Sequence, residues 1–239
     1  FTWHTFCDWY IELSKSTLLS DDAQDTRWVL HHVFKSILEL LHPIIPFVTE
    51  EIWQCLPKAG GESIVLAAYP HVRPEFAFTE EALLMNYIIE VISGVRSIRG
   101  ETGISPATVL DVAIKVADPA LKGLLEANSA HIRDLARTGR VRFISDDADR
   151  PKRCALSVRK GLEVYVPLEG VIDIDKELDR LSKQMAKVKK ELEEKEKKLN
   201  NPNFREKAKP EVVEEQLRIR EDLSFEYKSL QNARELLQG

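Results

Sequence analysis

The sequence predicts a mainly α protein of three parts: a helical bundle over 1–103, a small α+β domain over 104–170 and an antiparallel coiled-coil hairpin over 171–239. Three observations carry this. Apolar residues recur at helical spacing through the first hundred positions. The period then shortens to that of strands. Finally a 4-3 repeat runs through Ile174, Leu178, Leu181, Met185, Val188, Leu192 and Leu199, with Lys195 at the one skipped seam position. A 4-3 repeat keeps one stripe of a helix facing a partner.

In the bundle, the first helix covers Phe1 to about Leu18. Ser20-Asp21-Asp22 supplies an N-cap for a second through Trp28, Val29, Val33, Phe34, Ile37 and Leu41. His42-Pro43 stops it, because the residue before proline avoids the helical region. Pro46 or Thr49 restarts a short third helix through Ile52, Trp53 and Leu56, and Pro57 to Gly61 form a loop. Ser63 to Ala68 reads as short and extended. Thr79-Glu80-Glu81 caps a fourth helix that reaches about Arg99. Trp3, Trp9, Trp28 and Trp53 fall on helical faces and are expected as core anchors, with a stacking platform as the other reading.

After a loop over Gly100 to Pro106, Val109 to Val116 form a β-rich run. Asp118-Pro119 starts a helix through Leu121, Leu125, Ile132 and Leu135, ended by Thr138-Gly139. Three further strands lie at 141–144, 154–158 and 162–166. Gly170 closes the domain. The hairpin's return helix carries Val212, Ile219, Leu223, Leu230, Ala233 and Leu237. Pro202 and Pro210 force the turn between the two helices, since proline inside a helix loses a hydrogen bond and clashes with the preceding turn.

Of the 239 residues, 44% are hydrophobic and 31% charged. No apolar run reaches the length of a membrane span, so no membrane partner is expected. The opening FTWHTFCDWYIEL is already helical in period, which suggests a cut through a longer protein. The three cysteines are isolated, with no CxxC, so neither zinc nor a disulfide framework is supported, and a cytoplasmic setting fits. Net charge is −5. Asp175 to Lys209 hold 12 Lys/Arg and 8 Asp/Glu, a local +4, which leaves −9 for the remainder. An acidic body with a basic arm suggests a polyanion touched at selected places.

No GxGxxG, Walker loop, HExxH or Ser/His/Asp signature is present. His4 and Asp8 share a helical face without a third ligand. No catalytic residue and no metal ligand is assigned.

Several segments are nevertheless distinctive. HPIIPFVTEEIWQCLP (His42 to Pro57) resembles the close of the anticodon-binding bundle in class I synthetases for valine, isoleucine and leucine. VRSIRGETGISP (Val95 to Pro106) resembles the valyl form of the segment beyond that close. GVIDIDKELDRLSKQ (Gly170 to Gln184) and KLNNPNFREKAKPEVVEEQ (Lys198 to Gln216) are similar to the C-terminal arm of the bacterial valyl-tRNA synthetase family. At the tip, Asn201, Phe204, Lys207, Ala208, Val212 and Val213 match that family's pattern, while Lys209 stands where the family has proline. HIGH and KMSKS are absent, as is any candidate for the editing domain.

The resemblance implies that this chain positions tRNA(Val) by its anticodon region and outer corner. Catalysis would belong to the rest of a synthetase in cis, with ATP and Mg²⁺, and this part is expected to be inactive alone, a monomer and without a cofactor of its own. Arg96 and Arg99 are the implied anticodon contacts; both could instead serve the helix dipole. Lys183, Lys187, Lys190, Lys197 and Lys198, with Phe204, Arg205 and Lys207 at the tip, are the implied contacts to the tRNA corner. Each lysine could equally be part of a solvated face, and Phe204 could stack on a base or pin the turn. Two other readings stand: a coiled-coil adaptor that dimerises through its seam without RNA, and the same part of another class I synthetase.

Overall fold

The computed structural model describes residues 1–20, 23–57, 62–201, 204 and 210–239. The chain divides into two compact units, Phe1–Leu83 and Leu84–Gly239.

The first unit opens with a π-helical stretch, Thr2–Tyr10, that runs into α1 (Ile11–Leu18). The wide turn sets Phe6 against Tyr10 and Phe34, with ring centroids 5.9 and 6.1 Å apart. Over nine residues a π-helix and an α-helix show nearly the same apolar pattern, so periodicity reads both as one helix. Next come α2 (Ala23–Leu41) and α3 (Pro46–Cys55). Proline sits at the start of α3, where its missing N–H costs nothing. The cap expected at Ser20-Asp21-Asp22 and the loop expected at 58–61 lie outside the described residues.

Leu38, Trp53 and Ile64 form one buried cluster of this unit, flanked by Phe34, Ile52 and Leu56. The segment after α3 is a 3-10 turn, Ile64–Leu66, and not the extended run expected. Glu50 explains this. Its carboxylate accepts from the Ser63 hydroxyl at 2.8 Å and the Ile64 N–H at 3.1 Å, which folds the chain back onto α3 and buries Ile64. Of the four tryptophans, only Trp53 is fully buried; Trp3 and Trp28 are 70% and 56% exposed, so they are not the core anchors expected.

The second unit is built on α4 (Thr79–Thr102), most of which lies beyond Leu83. Ile88, Val91, Ile92, Val95 and Ile98 are all buried. The helix includes Gly100–Thr102, which the sequence reads as loop; Gly103, at φ 68, ends it. Gly94 lets α4 approach the sheet, since a Cβ there would meet the Val164 side chain at 3.3 Å.

The sheet has strands β1 (Leu110–Lys115), β2 (Thr138–Ile144), β3 (Cys154–Arg159) and β4 (Leu162–Pro167) in the order β2-β1-β4-β3. β1 and β2 are parallel and the other pairs antiparallel. Lys160 and Gly161 turn β3 into β4 with φ of 43 and 79, the left-handed pair that a two-residue hairpin needs.

The β1–β2 crossover holds two helices, α5 (Pro119–Ala127) and α6 (Ser129–Ala136), where the sequence predicts one. The apolar period continues across the break. Asn128 interrupts the backbone by hydrogen-bonding the Leu124 carbonyl with its own side chain, at 2.8 Å. Thr138 and Gly139 accordingly open β2 as well as coming after the helix. Asp118 caps α5 by accepting from the Ala120 N–H at 2.9 Å. Asp118→Ala is expected to lower the unit's stability by about 1 kcal/mol, measured by urea unfolding.

Finally, α7 (Ile174–Asn200) and α8 (Pro210–Gln238) form the hairpin. Leu181, Val188, Leu199 and Leu237 are buried at its seam. Lys195 Nζ donates across the seam to Gln216 Oε1 at 3.2 Å, and Gln216 is buried. Stepping one heptad at a time from that pair places Val188 opposite Leu223 and Leu181 opposite Leu230. At the base of the hairpin, Leu236 joins Ala113, Ile144, Cys154 and Tyr165 in one buried cluster. The sequence divides this region at 103/104 and 170/171. Packing instead gathers α4, the sheet and the hairpin base into one unit, because Gly94 and Leu236 both lie against the strands.

Candidate nucleic-acid interface

In the first unit, one stripe of α2 carries Trp28, His32, Lys35, Ser36 and Glu39. These face Leu66 to His71, Arg73 and Phe76 across a groove of about 630 Å³. The rings of Trp28 and His32 lie parallel, with centroids 5.0 Å apart, and Phe76 meets His32 edge-on at 5.8 Å. Two cations hang over rings: Lys35 Nζ is 5.4 Å from the Trp53 centroid and Arg73 is 5.7 Å from that of Phe76. Glu39 is the one carboxylate lining the groove among the described residues. Burial holds its pKa above the ordinary value, against the lowering effect of Lys35 and His32. Half-exposed aromatic faces beside cations suit the stacking of unpaired bases near a phosphate. Sequence reasoning favours Trp28 as a core anchor over a stacking platform and assigns no other of these residues to RNA. Their signal was a tryptophan, a histidine and a lysine at i, i+4 and i+7, which reads equally well as core.

The two arginines chosen from sequence do different work. α6 ends at Ala136, and its last carbonyls lack partners within the helix. Arg99 Nη2 donates to the carbonyls of Ala136 and Arg137 at 3.0 and 3.1 Å, and its Nη1 to that of Ser105 at 3.0 Å. Arg96 Nη2 donates to the Leu135 carbonyl at 3.2 Å. Both side chains of α4 therefore cap the C-terminal end of α6, where a cation also suits the helix dipole. Arg99 is 6% exposed, and burial, then the nearby charge of Arg137, holds its pKa below the usual arginine value. A guanidinium so enclosed is a strut, and is not presented to a base. Arg96 is exposed while making its bond.

On the arm, Lys183, Lys187, Lys190, Lys197 and Lys198 are all exposed, off the seam on α7. Lys198 Nζ lies 4.9 Å from the centroid of the half-buried Phe204 ring, and the Phe204 N–H bonds the Asn201 carbonyl at 3.1 Å. Phe204 thus has intramolecular partners at the turn. Arg205 and Lys207 lie outside the described residues. No group of three or more His, Cys, Asp or Glu side chains is placed to hold a metal among the described residues. His4 and Asp8 pair with each other, at 3.3 Å.

Comparison with known proteins bears on both regions. Residues 1–114 match the family model of the anticodon-binding domain of tRNA ligases. Residues 173–238 match that of the valyl-tRNA synthetase tRNA-binding arm. The chain belongs to the valyl-tRNA synthetase family. It is 41% identical over 217 residues to the valine–tRNA ligase of Geobacter sulfurreducens, covering 89% of this chain and 24% of that protein. Against the Bacillus subtilis valine–tRNA ligase it is 37% identical over 242 residues, covering all of this chain and 27% of the relative. The chain thus spans about a quarter of the length of the relatives it matches.

Within the valyl-tRNA synthetase family model for the arm lie α7, α8 and all five exposed lysines. The anticodon-binding match covers the aromatic groove and also α4 and β1 of the second unit. Among the described residues, no helix is long and apolar enough to cross a membrane.

Proposed function

We propose that this chain holds tRNA(Val) for a valine–tRNA ligase. It positions the RNA by the anticodon loop and the outer corner while the remainder of the synthetase, joined in cis, esterifies valine to its end. That remainder supplies the catalytic chemistry and draws on ATP and Mg²⁺; no residue of this chain is assigned to hold them. The protein works in the cytoplasm, as a monomer.

One observation carries the reading: the two RNA-directed family matches fall on the two regions whose exposed side chains suit RNA. The groove around Trp28 and Phe76 offers stacking faces to unstacked loop bases. The arm offers lysines on a stem about 40 Å long, from 27 residues at 1.5 Å each. Such a stem contacts phosphate and shape more than sequence.

Filter binding of the chain to a tRNA(Val) transcript tests this. Binding is expected at 50 mM salt, weakening steeply toward 200 mM as counterions are released. No retention at 50 mM overturns the reading. Light scattering addresses the adaptor alternative: a monomer is expected, because the seam is filled within one chain.

A further inference from the structure

The second unit treats its cations unequally. Lys115 is 2.8 Å from Asp147 and 3.6 Å from Glu163. Arg153 bonds Glu169 at 3.0 Å, Lys160 bonds Glu90 at 3.0 Å, and Arg180 pairs with Glu177. The corner where α6 passes into β2 is different. Arg133, Arg137, Arg140 and Arg142 are all exposed, and none of them forms an ion pair with a carboxylate among the described residues. Arg133 reaches the Ser129 hydroxyl, at 3.2 Å.

The local carboxylates offset only part of this charge. Asp111, whose Oδ1 accepts from the backbone N–H of Arg140 at 2.8 Å, and Asp134, the one acid between Ser129 and Ile144, stand against four arginines. The exposed Arg96 and the buried Arg99 already satisfy the carbonyls that end α6, so that helix's negative pole is not left to attract the other arginines. The positive field is therefore concentrated at the surface, on a chain whose net charge is −5.

The backbone also shapes the corner. β2 is an edge strand of the sheet, with only β1 beside it among the described residues. The β1–β2 register shifts between Leu110 and Val112, a bulge opposite Gly139 and Arg140. Bulges at edges re-aim side chains. Beyond it, Arg142 is in register with Ala113, whose face of the sheet also carries Leu236 from the base of the arm. Arg142 thus stands on the side of the sheet from which the arm springs.

We infer that the α6–β2 edge, through Arg137, Arg140 and Arg142, is a further contact for the phosphate backbone of the RNA held by this chain. Arginine forks match phosphate oxygens in pairs, a guanidinium is more weakly hydrated than an ammonium, and arginines without a carboxylate partner have no ion pair to break on meeting phosphate. The contact is phosphate-directed and blind to sequence. It rests on the tRNA-binding reading above and adds a site outside both the aromatic groove and the arm lysines. A purely protective role for edge arginines, keeping β2 from pairing with a second chain, is the rival.

The test compares the unaltered chain with an Arg140→Gln/Arg142→Gln variant and an Arg153→Gln control, using a tRNA(Val) transcript between 50 and 200 mM salt. Both substituted arginines are exposed and outside any ion pair among the described residues, so unfolding curves should superimpose. The Kd of the double variant is expected to rise about tenfold at 50 mM, and the slope of log K against log[salt] to flatten by about 1.4 to 1.8, for two phosphates at 0.7 to 0.9 each. Arg153→Gln should match the unaltered chain. If the unaltered chain binds and the double variant shows the same Kd and slope, the edge contact is wrong and the tRNA-binding reading stands. If the variant binds normally but self-associates in sedimentation, the arginines guard the edge and the proposal fails. If the unaltered chain does not bind, both fall together.

Discussion

Replacing Arg99 by alanine is expected to lower the stability of the second unit by about 3 kcal/mol. The guanidinium supplies three hydrogen bonds to backbone carbonyls at 3.0–3.1 Å, two of them at the end of α6 and one in the loop after α4. Removing it leaves the buried Ala136 carbonyl and two partly buried ones without these donors. Bonds from a charged donor are worth about 1.5–3 kcal/mol each, but three from one group do not add. Arg99→Lys is expected to recover only part of the loss, since an ammonium cannot span carbonyls on both sides as a planar fork does. Guanidinium unfolding monitored by circular dichroism measures both. If Arg99→Ala melted with the unaltered chain but lost RNA binding, Arg99 would be a contact residue after all.

The second large effect is electrostatic. Charge reversal at Lys187 and Lys190 is expected to weaken tRNA binding by about 100-fold at 50 mM salt, with the fold unchanged. Each substitution removes one phosphate contact and sets a like charge against the RNA, so about 1–1.5 kcal/mol per site is a reasonable scale. Both side chains are exposed and off the seam, so the hairpin should melt as before. In the longer ligase the same pair should raise KM for tRNA and spare ATP–pyrophosphate exchange. Loss of exchange would mean that the arm supports the catalytic part and is not a tRNA clamp.

These two expectations differ in how far the sequence foretells them. The arm is legible because a coiled coil is a local pattern: its seam recurs every three or four residues, and off-seam positions are solvent-facing by geometry. Even Lys195 at the skipped position is visible. Its role is not, because its partner Gln216 lies 21 residues away on the return helix. Arg99 is the opposite case. From sequence it is a basic residue near a helix end, the profile of an RNA contact. Its partners are the carbonyls of Ala136 and Arg137, 37 and 38 residues on, and carbonyls leave no trace in side-chain identity.

The tryptophans make the same point. Trp28 and Trp53 are both large apolar residues on helices, yet Trp53 is buried and Trp28 lines the groove. Periodicity reports that a face is apolar, but what covers it depends on the next element. Likewise, the continuous apolar stripe of 121–135 conceals the break at Asn128, because packing continues across a kink that the backbone makes locally.

The sequence by itself determined the class of the fold, the helix-to-strand-to-hairpin order, the seam of the arm and, through its tip and bundle motifs, the family. All of these rest on local spacing or on runs of adjacent residues. Only the tertiary structure decided that α4 belongs with the sheet, that Arg99 is a strut and that an aromatic groove lines the first unit. It alone also left four arginines of the α6–β2 corner without a carboxylate partner among the described residues. Each of those depends on which distant groups meet, and burial and pairing are properties of such meetings that no single stretch of chain encodes.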